Sequence, residues 1–251
     1  MGIVAFQWGE NKLTLLQNRE KCDSWETKPA IWDEGKKILR SQPDNNLGTW
    51  FGISKKGKVV FLVDPSVSNK LSLSDLRPVD FLQDEMSPCD YARELSADSV
   101  DGETISNGLV YDIIVADINL NSMFYITKKD ANKMHVHYEE VEFGAHTLSS
   151  VLGLDSKSPK ELRMKDLFNE MIGKEQVSEM KQVAEKFVYE IKEADKTGAS
   201  SSFDIFGDED RYKTMSTIAL AVKPTKEVMF CERYLENNGK WQEHDFTFNI
   251  E

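Results

Sequence analysis

The sequence predicts an α+β protein, a single domain over residues 1–251 arranged as a four-layer αββα sandwich. Three observations lead there. Apolar runs of strand length occur in pairs joined by turn residues, two blocks of helical periodicity interrupt them, and several strand runs are apolar almost without a break. Such runs imply burial on both faces, which a sheet achieves between another sheet and a helix layer. A chain of 251 residues with 40% hydrophobic content suffices for one sizeable core.

Taken in order, Ile3–Trp8 and Leu13–Leu16 read as strands joined through Gly9-Glu10-Asn11, which brings residues 2 and 19 near each other across a hairpin. Trp50–Ser54 and Val59–Val63 form a second pair around Lys55-Lys56-Gly57-Lys58. Leu73–Leu82 and Pro88–Leu95 are expected helices, the second opened by Ser87 as N-cap with Pro88 in the first helical position. Strands return at Tyr111–Ile118 and Met123–Thr127, paired around Asn119-Leu120-Asn121, then as a further pair at Met134–Tyr138 and Val141–His146. From Pro159 the apolar residues Leu162, Phe168, Met171 and Ile172, then Val177, Met180, Val183, Phe187 and Ile191, recur at three- and four-residue spacing, as two amphipathic helices require. Gly198–Ser202 reads as a link and Asp208-Glu209-Asp210 as an acidic loop. Ile218–Val222, Val228–Tyr234 and Phe246–Ile250 close the chain as strands.

The net charge of −12 disfavours a nucleic-acid or anionic-membrane surface, which needs concentrated Lys and Arg. Cys22, Cys89 and Cys231 are odd in number and widely spaced, so they read as reduced thiols of an intracellular protein. The apolar opening lacks a basic leader and is interrupted by Gln7, Glu10 and Asn11, which argues against a signal peptide or a transmembrane segment. Met1-Gly2 raises N-myristoylation, but that motif wants Ser or Thr where Phe6 stands, and a buried strand is the preferred reading.

A strand starting at residue 2, followed by a second ending Asn18-Arg19-Glu20, resembles the arrangement of N-terminal-nucleophile hydrolases. Further segments are similar to those of the transport and Golgi organization protein 2 family, called NRDE after its Asn-Arg-Asp-Glu motif. Asn18-Arg19-Glu20-Lys21 sits where that motif falls, and Gly48-Thr49-Trp50-Phe51-Gly52 resembles a Gly-Thr-Trp-Leu-Gly segment. Leu76–Leu82 is similar to the family's Val-x-Asp-Phe-Leu stretch, and His146–Ser150 to its Gly-Leu-Ser-Asn turn. Met215-Ser216-Thr217, with the later Glu232-Arg233, is similar to its closing strands.

The resemblance implies an N-terminal-nucleophile hydrolase-like fold with Cys at residue 2 and donors from the motif and later strands. There the terminal amine activates its own side chain while donors stabilise the oxyanion. This chain departs from that pattern: Gly2 replaces the Cys, Glu20 the Asp, Lys21 the Glu, Asp64 an Asn, Ser150 the Asn of the turn, and Thr214 a later Arg. Arg19 is retained. No catalytic residue is therefore assigned. The expected site is a degenerate pocket of Gly2, Arg19, Glu20, Asp64, His146, Ser150 and Thr214 that binds a small ligand. Arg19 either grips a carboxylate or phosphate with its planar fork or pairs with Glu20 or Asp64.

The resemblance further implies a role in Golgi and secretory organization and in lipid or haem homeostasis. It places the protein in the cytoplasm, or at Golgi or mitochondria, with no resident cofactor and with haem as a conceivable cargo; the sequence lacks a Cys-x-x-Cys-His attachment run. Two alternatives remain open: an amidohydrolase with a relocated nucleophile, for which Cys22 is nearest, and a purely structural partner-binding protein using the acidic loop. His135-Val136-His137 has strand spacing compatible with metal binding but no third ligand, so an exposed sheet face is preferred. The five tryptophans read as packing.

Overall fold

A computed structural model describes residues 2–20, 27–43, 49–63, 78–97, 110–130, 132–133, 135–149, 152–157, 159–172, 179–182, 214–236 and 238–251. The fold is α+β, with two seven-stranded antiparallel sheets and few helices. The chain divides into two compact units: Met1–Trp8, Lys12–Trp25 and Gly144–Phe248 form the first, and Gly9–Asn11, Glu26–Phe143 and Asn249–Glu251 the second.

The first unit is organised around strands β1 (Gly2–Gly9) and β2 (Lys12–Glu20), whose turn is made by Glu10 and a left-handed Asn11 (φ 51°). Asn tolerates that conformation because its short polar side chain bonds locally. In chain order the second unit supplies β3 (Thr27–Trp32), β4 (Ile38–Pro43), β5 (Phe51–Ser54), β6 (Lys58–Val63), helices α1 (Pro78–Gln83) and α2 (Pro88–Ala97), and β7 (Tyr111–Asp117), β8 (Ser122–Lys128) and β9 (His137–Glu140). The chain then returns to the first unit with β10 (Gly144–Ser149), β11 (Gly153–Leu154), helix α3 (Pro159–Met171), β12 (Thr214–Val222), β13 (Glu227–Leu235) and β14 (Trp241–Asn249).

The first sheet runs β11-β10-β1-β2-β12-β13-β14. α3 covers one face: Met164, Leu167 and Phe168 pack with Ile3, Ala5, Leu16, Ala219, Ala221 and Met229, joined by Met180 from the helical residues 179–182. The side chains of the other face, among them Val4, Phe6, Leu15, Leu220 and Phe230, are buried as well. Continuous apolar strands follow from that double burial.

The second sheet runs β3-β4-β5-β6-β7-β8-β9, with α1 against β5 and β6 and α2 against β7, β8 and β9. α2 starts as its sequence dictates, since Ser87 Oγ accepts the Asp90 N–H at 3.1 Å and Pro88 needs no donor. α1 lies so close to β5 that a Cβ on Gly52 would stand 2.5 Å from Leu82 Cδ1. The β5–β6 turn needs Gly57, whose φ of +85° few side chains tolerate. Among the described residues no helix is long and apolar enough to cross a membrane.

Three of the expected strand pairs, β1–β2, β5–β6 and β7–β8, stand where apolar runs predict them, with differences in extent, whereas the two strands expected to pair over Met134–Tyr138 and Val141–His146 lie in different sheets, β9 beside β8 and β10 beside β1. β3 and β4 carry no sequence expectation. The strand expected over Met134–Tyr138 is found at His137–Glu140, so His135 precedes it. The one expected over Val141–His146 begins only at Gly144, because Val141 N–H still bonds Met123 O beside β8 at 2.9 Å before the chain changes sheets. Leu162 is exposed, because the buried stripe of α3 falls on Met164, Leu167 and Phe168 instead. The link at 198–202 and the acidic loop at 208–210 lie outside the described residues, as does the first half of the helix expected over Leu73–Leu82.

Candidate functional site

Alternation along the first sheet sorts the motif residues by face. Ile3, Ala5, Leu16 and Ala219 point toward α3, so Gly2, Arg19 and Ser216 lie on the opposite face. A two-residue turn continued back along the hairpin sets Gly2 across from Arg19. Arg19 pairs in register with Ser216, and Ser216 with Tyr234. Gly2, Arg19, Ser216 and Tyr234 thus form one row across four neighbouring strands. Ser216 is buried and Arg19 half-buried. Burial raises the Tyr234 phenol above its ordinary range, reinforced by Glu236 and Glu232, so it is a neutral hydroxyl at neutral pH.

Asn18 faces the other way. It is wholly buried on the α3 side, where its Nδ2 donates to Thr214 Oγ1 at 3.5 Å and its Oδ1 accepts from Thr217 Oγ1 at 3.4 Å. These bonds tie β2 to β12 beside the bulge between Thr214 and Ser216. Thr214 therefore belongs with Asn18 rather than with the Gly2 row. His146 pairs with Phe6, on the Gly2 face but four residues along β1, roughly 13 Å away at strand rise. The Glu20 backbone pairs with Thr214, while its side chain lies outside the described residues, as do Asp64 and Ser150.

Among the described residues of this unit, two histidine–carboxylate pairs occur. His146 Nδ1 is 2.7 Å from Asp155 Oδ2, its ring stacks on Phe6, and Asp155 Oδ1 also accepts the Thr147 N–H at 3.0 Å. Burial pushes the Asp155 carboxyl up, but the bonds from His146 and Thr147 N–H, with the charges of His146 and Lys165, outweigh it and hold the carboxyl below its ordinary value. A carboxylate depressed in the folded state contributes stability above its unfolded pKa of about 3.9, and that contribution is lost as pH falls through the folded pKa. Asp155→Asn should accordingly lower stability at pH 7 by at most about 1 kcal/mol, since the group is half-exposed and screened. Urea titrations from pH 7 down to pH 2 should show the gap to wild type closing below about pH 4; a gap that widens there would disprove the assignment.

The second pair is His244 Nε2 with Glu232 Oε2, 3.0 Å apart, the carboxylate almost fully buried and the imidazole ringed by Phe230, Tyr234 and Phe246. The strand expected over Phe246–Ile250 leaves His244 outside it, whereas β14 begins at Trp241. The missed signal is the alternation of half-buried and exposed positions along β14, which turns His244, Phe246 and Phe248 to one side.

His135 and His137 are exposed, and among the described residues no group of three or more metal-ligating side chains is present. Trp8 and Trp50 are core residues. Cys22 lies outside the described residues. Cys231 is buried on β13, and burial pushes its thiol up to about 12, so it is neither a thiolate nor a nucleophile at neutral pH.

A family model described as Transport and Golgi organisation 2 matches residues 1–237, spanning both units. No curated protein matches the chain. Among solved structures, a Caenorhabditis elegans N-acylethanolamine-hydrolyzing acid amidase ortholog aligns at 9% identity and TM-score 0.40, over 87% of this chain and 92% of that one. A mutant form of the conjugated bile acid hydrolase from Clostridium perfringens aligns at 11% identity and TM-score 0.42, over 100% of this chain and 97% of that one.

Proposed function

Because the chain belongs to the transport and Golgi organisation 2 family, we propose that it acts there as a noncatalytic carrier, binding a small ligand at the Gly2–Arg19 row without cleaving it. The observation that supports this reading is the pairing of a residue without a side chain with a half-buried guanidinium on one sheet face. Covalent acyl transfer needs a nucleophile, which Gly2 does not supply and the protonated Cys231 thiol cannot replace. Arg19 still offers a planar fork suited to a carboxylate or phosphate, with the Ser216 hydroxyl and Tyr234 phenol in the same row as further hydrogen-bonding groups.

The ligand is accordingly a small molecule with a carboxylate or phosphate head. Lipids and haem, whose homeostasis the family resemblance implies, both meet that description. The protein works from the cytoplasm at Golgi or mitochondrial membranes and takes part in secretory organization.

Native mass spectrometry of protein purified from its own cells tests this. A bound small molecule is expected on protein beginning at Gly2, and Arg19→Ala should lower its occupancy about tenfold or more, the value of one charge-assisted bidentate contact. Full retention of the ligand by Arg19→Ala, or turnover of simple acyl amides by the wild type, would refute the reading.

A further inference from the structure

We propose, resting on the carrier reading of the Gly2–Arg19 row, that the ligand is a chain molecule with a hydroxyl opposite its acid head, the head taken by Arg19 and the hydroxyl held between Tyr234 and His244.

His244 stands beside Tyr234 on the neighbouring strand, with ring centroids 5.3 Å apart. Its Nε2 lies 3.0 Å from Oε2 of Glu232, a residue only 2% exposed. A carboxylate only accepts hydrogen bonds, so it takes the Nε2–H and leaves Nδ1 of the neutral ring as an acceptor. Phe230 and Phe246 close around the imidazole, their centroids 6.3 and 5.2 Å from its own, and hold the ring further. Glu232 is thus a positioning residue, aiming an imidazole that itself would meet the ligand. Tyr234 and His244 are half-buried, and among the described residues neither the Tyr234 hydroxyl nor His244 Nδ1 has a hydrogen-bond partner.

One donor beside one acceptor is the pattern that a hydroxyl completes. Its oxygen accepts from the Tyr234 O–H and its proton goes to His244 Nδ1. A second carboxylate has no proton to offer Nδ1 and would feel the charges of Glu232 and Glu236, which already act on Tyr234. An alkyl end would displace water from both groups and replace neither bond. Only β12 separates β2 from β13, so Arg19 and Tyr234 stand two strand spacings apart, about 10 Å. Acid and hydroxyl therefore lie toward opposite ends of a chain rather than on adjacent carbons. Among lipids and haem, this selects a hydroxylated acyl chain, since the polar groups on the rim of haem are carboxylates.

The test is isothermal titration calorimetry of the full chain with ω-hydroxydecanoate and with decanoate, whose extended chains span that gap. The wild type should bind the hydroxy acid about tenfold tighter, as for two hydrogen bonds in a half-buried setting. Tyr234→Phe and His244→Phe should each cut that preference to about threefold or less. Should His244→Phe unfold the protein by stranding Glu232, Tyr234→Phe decides alone. Arg19→Ala should weaken both acids alike and keep the preference. Equal wild-type affinity for the two acids, with Arg19→Ala still weakening both, would overturn the proposal and leave the carrier reading standing, as would a preference that Tyr234→Phe does not change. Failure of the wild type to bind either acid would overturn it together with carboxylate binding by Arg19.

Discussion

Lys129→Ala is expected to lower the unfolding free energy by about 3 kcal/mol, far more than removal of a half-exposed lysine ordinarily costs. The reason lies in its partner. Asp112 is completely buried on β7, both its oxygens sit 2.8 Å from Lys129 Nζ, and one also accepts from the Tyr125 hydroxyl. Among the described residues, removing the lysine leaves a carboxylate in the interior with the Tyr125 phenol as its side-chain partner, and an uncompensated buried charge is the expensive half of a broken pair. Asp112→Asn in the Lys129→Ala background should recover part of the loss by removing that charge. Urea unfolding of the two variants and wild type measures both quantities; a loss below about 1 kcal/mol for Lys129→Ala would show that water satisfies Asp112.

Gly52→Val should cost about 2–3 kcal/mol through overpacking. Even a single added carbon would stand 2.5 Å from Leu82 Cδ1, 3.4 Å from Arg40 Cβ and 3.6 Å from Val60 Cγ1. Leu82 is itself buried in the α1–β5 seam, so it has little room to retreat. Leu82→Ala alone should cost about 2–5 kcal/mol by leaving a cavity. Combined, the two changes should cost less than their sum, because valine then fills space that Leu82 vacates. Strict additivity in a double-mutant cycle would mean that the helix and strand do not meet here.

The pairs β1–β2, β5–β6 and β7–β8 were legible because apolar runs flank turns with recognisable chemistry: Asn11 and Asn121 in left-handed conformations, and Gly57 at φ +85°. β3 was not legible. It contains Pro29, which removes a ladder donor, and it is tolerated because β3 is the edge of its sheet, a fact that depends on topology. Within the site, Gly2 and Arg19 could be placed together from a local hairpin alone. The role of Asn18 could not, since its partners Thr214 and Thr217 are 196 and 199 positions away and meet it only through the β2–β12 register. Strand alternation thus separates two adjacent motif residues, Asn18 fastening β2 to β12 on one face and Arg19 lying on the other.

The two edges of the first sheet differ in what they offer a stranger. β11 is two residues long, whereas β14 presents nine, with Glu243 and Asp245 on the same side. If two molecules docked antiparallel through β14 about His244, Glu243 of each would face Asp245 of the other, and the repulsion would oppose growth of a continuous sheet from copy to copy. Reversing the sign at Glu243 and Asp245, which lie near Arg233 and Lys181, would leave that repulsion in place, whereas replacing them with Thr and Val would remove it and should raise self-association of the edge.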